Sequence, residues 1–228
     1  IDKGSNAIEN LHYRLQSNTI TIKAGENRAD VLVHGYYDNI EATDSLGFTL
    51  QLVMDEKYVM PLYGKQAKAV LMKSCPFDVN DFTGYCVLTS MFLYDYSVNG
   101  SYQRLVYTEK HPVEKNTIIC RNWINDGYDV TMTFNAADPM KPFVTMDADQ
   151  VASDEGSFFG ISYGDDKLLV TNSSLYDSIF YPCGRYLYIW TELYVEKLGI
   201  PVGTVGHFYN VMEWISDEEA ERLKREGM

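Results

Sequence analysis

The sequence is poor in positive charge. Its 19 lysines and arginines stand against 32 aspartates and glutamates, for a net charge of −13. A surface of that sign repels phosphate backbones, so no nucleic-acid partner is expected. An anionic membrane surface is unattractive for the same reason. No apolar run approaches the roughly 18 residues of a spanning helix. Cysteine is scarce: Cys75, Cys86, Cys120 and Cys183 include no C-x-x-C pair, which excludes zinc-knuckle and thioredoxin-type motifs. Three complete pairings and the free-thiol state stay open. The four histidines, His12, His34, His111 and His207, form neither H-E-x-x-H nor H-x-H, so nothing points to a zinc hydrolase. His207 reads as a satisfied, half-buried ring in a strand. No metal and no cofactor are expected. The chain opens on Ile1 rather than Met, so the expectation is a processed or trimmed product, with room for a removed leader and a lipid anchor outside the given sequence.

Aromatic residues, by contrast, are plentiful: 18 Tyr, 10 Phe and 3 Trp in a chain that is 46% hydrophobic. Such a composition can bury a sizeable core and favours strands. Period-two alternation runs through "TITIKAG", "RADVLVHGYY", "LGFTLQLVM" and the short apolar run "AKAVLMKS". At Cys75-Pro76 the pattern breaks, and the step disfavours helix; a domain boundary is placed there. Long strands follow. "GYCVLTSMFLYDYS" is expected to run about ten residues, "VNGS" carries an Asn-Gly hairpin signal, and "GRYLYIWTELYV" and "GTVGHFYNVMEWI" close the set. Strands spaced this evenly, without intervening helices, predict an all-β fold, either a sandwich or an up-and-down barrel. One helix is expected, over "ISDEEAERLKREG". Ser216 and Glu219 form a capping box, with Glu218–Arg222 and Glu221–Arg225 as i,i+4 pairs. Domains are therefore set at 1–74, 75–215 and a surface helix at 216–228. One continuous sandwich is the rival arrangement.

Residues 160–164 read "GISYG", a match to the nucleophile elbow G-x-S-x-G. An elbow needs a strand before it and a helix after it. Here Phe159, Ile161 and Tyr163 alternate with Phe158, Gly160 and Ser162, which predicts strand, so Ser162 is not taken as a nucleophile. Asp177 and His207 could fill a triad in order, but an acidic chain supplies such partners cheaply. "MDADQVASDEG" offers Asp147, Asp149, Asp154 and Glu155 as oxygen ligands. Val151 stands where an EF-hand needs its third ligand, and a solvated acidic loop is expected. The aromatic stripe is more informative. In "GRYLYIWTELYV", Tyr186, Tyr188, Trp190, Glu192 and Tyr194 share one strand face and Leu187, Ile189, Thr191 and Leu193 the other. The aliphatic face is the better core, which aims the aromatics at a ligand or a partner surface. Trp123 and Tyr128 flank the polar loop "RNWINDGYD", where a ring could stack on a sugar. The expected ligand-binding residues are Trp123, Tyr128, Tyr186, Tyr188 and Trp190, with no catalytic residues.

Ala24-Gly25-Glu26 and the strand Phe48-Thr49-Leu50-Gln51-Leu52, set in "NTITIKAGENRADVLVHGYYDN…GFTLQLV", resemble the immunoglobulin-like, Calx-beta-like N-terminal domains of Bacteroidetes surface lipoproteins, over residues 1–74. The remainder, from "DFTGYCVLTSMF" to Gly206-His207-Phe208-Tyr209, is similar to the lipocalin-like β-domains of uncharacterised function in those lipoproteins; the terminal helix departs from that pattern. The resemblance implies an immunoglobulin-like sandwich followed by a lipocalin-like antiparallel barrel or second sandwich. It also implies a cell-surface or outer-membrane setting and an association with glycan-uptake machinery, and it carries no catalytic residue over. The expected function is a non-catalytic surface lipoprotein that binds glycan or another exogenous ligand through exposed aromatics. The alternative is a structural or adhesive subunit working through protein contacts. A hydrolase is the third reading, and fluorophosphonate labelling of Ser162 is its test.

Overall fold

The computed structural model describes residues 5–41, 45–55, 64–97 and 100–228. The chain divides into two compact units, Ile1–Ser74 and Cys75–Met228. In the first, β1 (Tyr13–Leu15) pairs antiparallel with β2 (Val33–Gly35), and β3 (Ser45–Gln51) with β4 (Gln66–Met72). A small core of Ala7, Tyr13, Ile40, Leu46 and Phe48 holds the two ribbons, with Tyr13 stacked on Phe48 at 3.9 Å. The expected strand at "TITIKAG" is absent. Ser17 instead donates to the Thr19 carbonyl at 2.7 Å and accepts from its N–H at 3.1 Å, a local turn that competes with a ladder. Ile20 and Ile22 are exposed beyond it. Two ribbons are fewer strands than the seven of an immunoglobulin-like sandwich, and the described residues supply no more.

The second unit opens with β5 (Gly84–Ser90), α1 (Met91–Tyr96), β6 (Gln103–Lys110), β7 (Thr117–Arg121) and β8 (Val130–Asn135). There follow β9 (Phe143–Met146), β10 (Gln150–Ser153), α2 (Gly156–Phe159), β11 (Leu168–Asn172) and β12 (Ile179–Tyr181). The long strands β13 (Tyr186–Lys197) and β14 (Ile200–Trp214) and the helix α3 (Asp217–Arg225) end the chain. Antiparallel pairing runs β5-β6-β7-β8-β9-β12-β13-β14 and returns from β14 to β5, an eight-stranded closed barrel. Closure removes the sandwich alternatives. The expected ten-residue strand from Gly84 stops at Ser90, whose hydroxyl accepts from the Leu93 N–H at 3.4 Å and starts α1. Of the "VNGS" turn, Val98 and Asn99 lie outside the described residues; Gly100 has φ +66°.

Closure between β9 and β12 rests on one residue pair, Phe143 with Ile179. The long β13 is flanked by β12 along its first half and by β11 along its second. Side-chain amides bridge the gap this leaves. Gln150 accepts from the Thr131 N–H at 2.6 Å and donates to the Thr131 carbonyl at 3.0 Å. Asn172 accepts from the Met146 N–H and donates to the Val144 carbonyl at 3.5 Å. Each amide thus takes over strand pairing that the backbone does not make.

Inside the barrel, alternation holds on every long strand. Leu187, Ile189, Thr191, Leu193 and Val195 of β13 point in, as do Phe208, Asn210, Met212 and Trp214 of β14. Aromatic clusters plug both mouths. Phe77, Phe82, Phe134, Phe180 and Trp214 fill the end where β5 begins. Phe92, Tyr96, Phe158 and Phe208 fill the other. The interior is therefore packed core. The Cys75–Cys183 disulfide ties the unit's first residue to the β12–β13 turn, while Cys86 and Cys120 are buried thiols. On α3, the Ser216 hydroxyl accepts from the Glu219 N–H at 3.2 Å, the capping expected. Its ion pairs differ from those expected: Arg222 meets Glu219 and Glu226, and Lys224 meets Glu221. Ala220 is fully buried, and Lys224 lies 4.0 Å from the Tyr85 ring centre.

Candidate functional site

The outward face of β13 carries Tyr186, Tyr188 and Trp190, each half-buried. Antiparallel pairing sets Tyr209 of β14 opposite Trp190, and Tyr181 of β12 opposite Tyr186. The loop after β11 adds Tyr176. The result is a continuous ladder on the outside of the barrel. Ring centres are 4.7 Å apart for Tyr181–Tyr186, 5.4 Å for Tyr186–Tyr188 and 5.5 Å for Tyr188–Tyr209. They are 5.1 Å apart for Tyr209–Trp190 and 4.2 Å for Trp190–Tyr176. Each such pair adds about 0.5–1.5 kcal/mol beyond the area it buries.

These spacings decide how the rings stand. Tyr181–Tyr186 and Tyr188–Tyr209 are inclined by only 27° and 20°. Two near-parallel rings whose centres lie about 5 Å apart cannot lie flat side by side; they must be offset-stacked. Each of these two pairs therefore covers one face of each of its rings. Burial, followed by the neighbouring phenols Tyr188, Tyr181 and Tyr186, pushes the Tyr209 hydroxyl up to about 12. Burial chiefly, then Tyr188 and Tyr181, raises Tyr186 as well. Tyr186 and Tyr209 therefore stay protonated at neutral pH and can both donate and accept hydrogen bonds.

Tyr176 is held in place by its loop. The Ser173 hydroxyl accepts from the Leu175 N–H at 3.1 Å and hydrogen-bonds His207 Nδ1 at 3.0 Å. His207 is thus a satisfied ring, and its edge faces Tyr176 at 6.5 Å. Its partner is Ser173, not Ser162.

The structure brings together three of the five expected binding residues, Tyr186, Tyr188 and Trp190. Trp123 is a correction: it is 0% exposed. The turn that carries it reverses tightly through Asn122 (φ +53°) and Gly127 (φ +86°), with the Trp123 N–H bonded to the Tyr128 carbonyl at 2.9 Å. That reversal folds Trp123 and Ile124 into the core instead of presenting them at the loop's rim. Tyr128 stands apart from the ladder, its hydroxyl donating to Asp154 at 3.5 Å. Burial first, then Asp154, raises its pKa. Sequence reasoning missed Tyr209, Tyr181 and Tyr176. Period two in "GHFYNVMEW" carried a signal for Tyr209, whereas Tyr176 sits in an irregular loop that carries none.

The strand expected at "SFFGISYG" is also corrected. Gly156–Phe159 is a helical turn, and Asp154 just before it accepts from the Ser157 N–H and hydroxyl, both at 2.6 Å. Gly160 then turns left-handed (φ +72°). Glu155 is 0% exposed, and its carboxyl group gathers the next loop by accepting from the backbone N–H groups of Tyr163, Gly164 and Lys167. Ser162 is exposed and donates to the Gly164 carbonyl at 3.3 Å. Of the acidic residues weighed for calcium, Asp147 accepts from Thr131 and Asp149 from Tyr194, while Asp154 and Glu155 are engaged as above. Among the described residues, no three His, Cys, Asp or Glu side chains gather as a metal site.

Shallow depressions mark the two mouths. One of about 510 Å³ is lined by Phe77, Asn116, Phe134 and Asn135. The other, of about 270 Å³, is lined by Gln103, Arg104, Ile124 and Phe158. The plugging rings form part of both linings, so neither leads to a ligand chamber. No curated protein and no solved structure matches the chain. One family model does match, over residues 62–226, which takes in the whole barrel and all of α3; the chain belongs to the family described as Domain of unknown function (DUF4984).

Proposed function

We propose that the barrel unit is a non-catalytic binding module that takes an extended glycan, or a ligand of similar chemistry, on the outside of β12–β14. The observation that carries this is the ladder itself: six aromatic rings in unbroken contact, lined with hydroxyls, on a barrel whose interior is filled. A sugar presents both C–H faces and hydroxyls, and amphipathic rings meet both. The closed antiparallel eight-strand barrel, with β10 and β11 as an excursion between β9 and β12, supports a lipocalin-like kinship, with the ligand moved from the lumen to the wall. An extracytoplasmic, surface-lipoprotein setting is part of the proposal. The Cys75–Cys183 pair supports it, because structural disulfides persist in oxidising compartments. No helix among the described residues is long and apolar enough to cross a membrane. The test is calorimetric titration with neutral soluble polysaccharides. Tyr188→Ala and Trp190→Ala should each weaken binding about tenfold, the equivalent of roughly 1.4 kcal/mol. Wild-type affinity in both variants would sink the assignment.

One observation favours the alternative, adhesion through protein contacts. The β13–β14 hairpin tip carries Leu198, 85% exposed at φ +54°, beside exposed Ile200 and Val202. An apolar side chain there is costly twice over, in backbone strain and in exposure. Under the adhesive reading the chain self-associates as concentration rises, and Leu198→Asn, which suits the left-handed conformation, abolishes this. A monodisperse chain at every concentration removes that reading.

A further inference from the structure

The ladder's geometry distinguishes its ends from its middle. Trp190 is flanked by Tyr176 and Tyr209, and Tyr188 by Tyr209 and Tyr186. These inner rings are half-buried among their neighbours. Tyr176 closes the row at the Trp190 end, 4.2 Å away and inclined by 30°, and Tyr181 closes the other end, stacked on Tyr186 and edge-on to Tyr188 at 5.8 Å. They are also the most exposed rings of the ladder, at 49% and 38%. A sugar stacks on a free ring face, and a ring edge serves it only as a hydrogen-bond partner. Tyr181 lies level with Tyr186, and Tyr176 lies against Trp190. Those two β13 positions are four residues apart, about 13 Å along a strand, which is the reach of a short oligosaccharide and well beyond one sugar ring.

Resting on the glycan reading of the ladder, we infer that Tyr176 and Tyr181 are the two stacking subsites, and that the phenol edges between them hydrogen-bond the intervening units of a linear oligosaccharide. Length selectivity follows from this layout. A monosaccharide engages one end only, and affinity climbs until the chain spans both ends. Position is built in on both sides. The β12–β13 pairing sets Tyr181, and the Ser173–His207 contact holds the loop of Tyr176. Both rings project from outside the core, so truncating either leaves the barrel packing intact.

The experiment is calorimetric titration of the full chain with cello-, xylo- and malto-oligosaccharides, from mono- to hexasaccharide, with unfolding curves confirming that each variant is folded. For the series that binds, wild-type affinity should rise at least tenfold between mono- and hexasaccharide. Tyr176→Ala or Tyr181→Ala should each flatten that rise, whereas Tyr176→Phe and Tyr181→Phe, which keep the ring, should preserve it. Tyr188→Phe and Tyr209→Phe should cost about two- to fivefold through lost hydrogen bonds. If the wild type binds but the two alanine variants keep its length dependence, or a monosaccharide binds as tightly as a hexasaccharide, the end-subsite assignment is overturned while the glycan face stands. If no oligosaccharide binds the wild type, the glycan reading falls and the subsites fall with it.

Discussion

Replacing Glu155 by alanine should loosen the whole loop that reads "GISYG". The Glu155 carboxyl oxygens accept from Gly164 at 3.0 and 3.1 Å and from Lys167 at 3.2 Å, with the Tyr163 N–H in closer contact. Removing the acceptor strands three backbone donors, each worth about 1–3 kcal/mol if left dry. Two effects reduce the sum. Ile161 and Tyr163 are more than half exposed, so water can reach part of the loop, and the cost of burying the carboxyl group disappears. A net loss of about 2–4 kcal/mol remains. For a chain of this size that corresponds to a fall in Tm of roughly 5–15 °C. Glu155→Gln keeps one acceptor oxygen and should lose about half as much. Gly164→Ala is an independent check on the same loop, since a Cβ there would lie 2.2 Å from the Glu196 carbonyl oxygen. Urea unfolding followed by tryptophan fluorescence reads the barrel unit alone, because Trp123, Trp190 and Trp214 all lie in it. An alanine variant within about 0.5 kcal/mol of wild type would refute the reasoning, as would a glutamine variant less stable than the alanine one.

Three further outcomes are expected. Thiol titration of the unreduced chain in denaturant should find only Cys86 and Cys120, and the Cys75→Ser, Cys183→Ser double variant should lose up to about 4–5 kcal/mol, the loop-closure value for a separation of 108 residues; four reactive thiols would contradict the pairing. Gln150→Ala and Asn172→Ala should each cost about 1–3 kcal/mol by leaving strand groups of β8 and β9 unpaired, seen as faster amide exchange at Thr131 and Met146; unchanged exchange would mean that the amides do not close the seam. Tyr209 and Tyr186 are raised in the folded state, so folding keeps these phenols protonated. Their stabilising contribution is complete below the unfolded value of about 10 and is lost as pH rises above it, for Tyr209 toward about 12. Phenolate absorbance should show a late-titrating fraction that shrinks in Tyr209→Phe and vanishes on unfolding; a single titration near 10 would exclude that environment.

Where burial follows a regular period, the sequence was legible. The Leu187–Leu193 side of β13 is core and the Tyr186–Trp190 side is outward, as alternation implies, because a barrel wall has one wet face and one dry one. The Ser216 cap was legible for a similar reason: capping is local chemistry. Misreadings arose where a side-chain acceptor or a left-handed turn overrides the alternation. "SFFGISYG" alternates like a strand, yet Asp154 and Glu155 collect its N–H groups and wind it into a helical turn and loop. Trp123 opens a polar-looking loop, yet two left-handed residues turn it inward. The ladder was half legible. Its β13 rungs lie on one periodic strand, whereas Tyr181 and Tyr209 join through pairing register and Tyr176 through a loop contact with Trp190.

The central claim is that ligand is held on the outer wall and not in the barrel. The three tryptophans make this directly measurable, since Trp190 lies in the ladder, Trp123 in the core and Trp214 in a plugged mouth. Fluorine NMR of the chain labelled with 5-fluorotryptophan, titrated with an oligosaccharide that binds, should shift the Trp190 resonance and leave the other two in place. A shift confined to Trp123 or Trp214, with Trp190 unmoved, would contradict the outer-wall account.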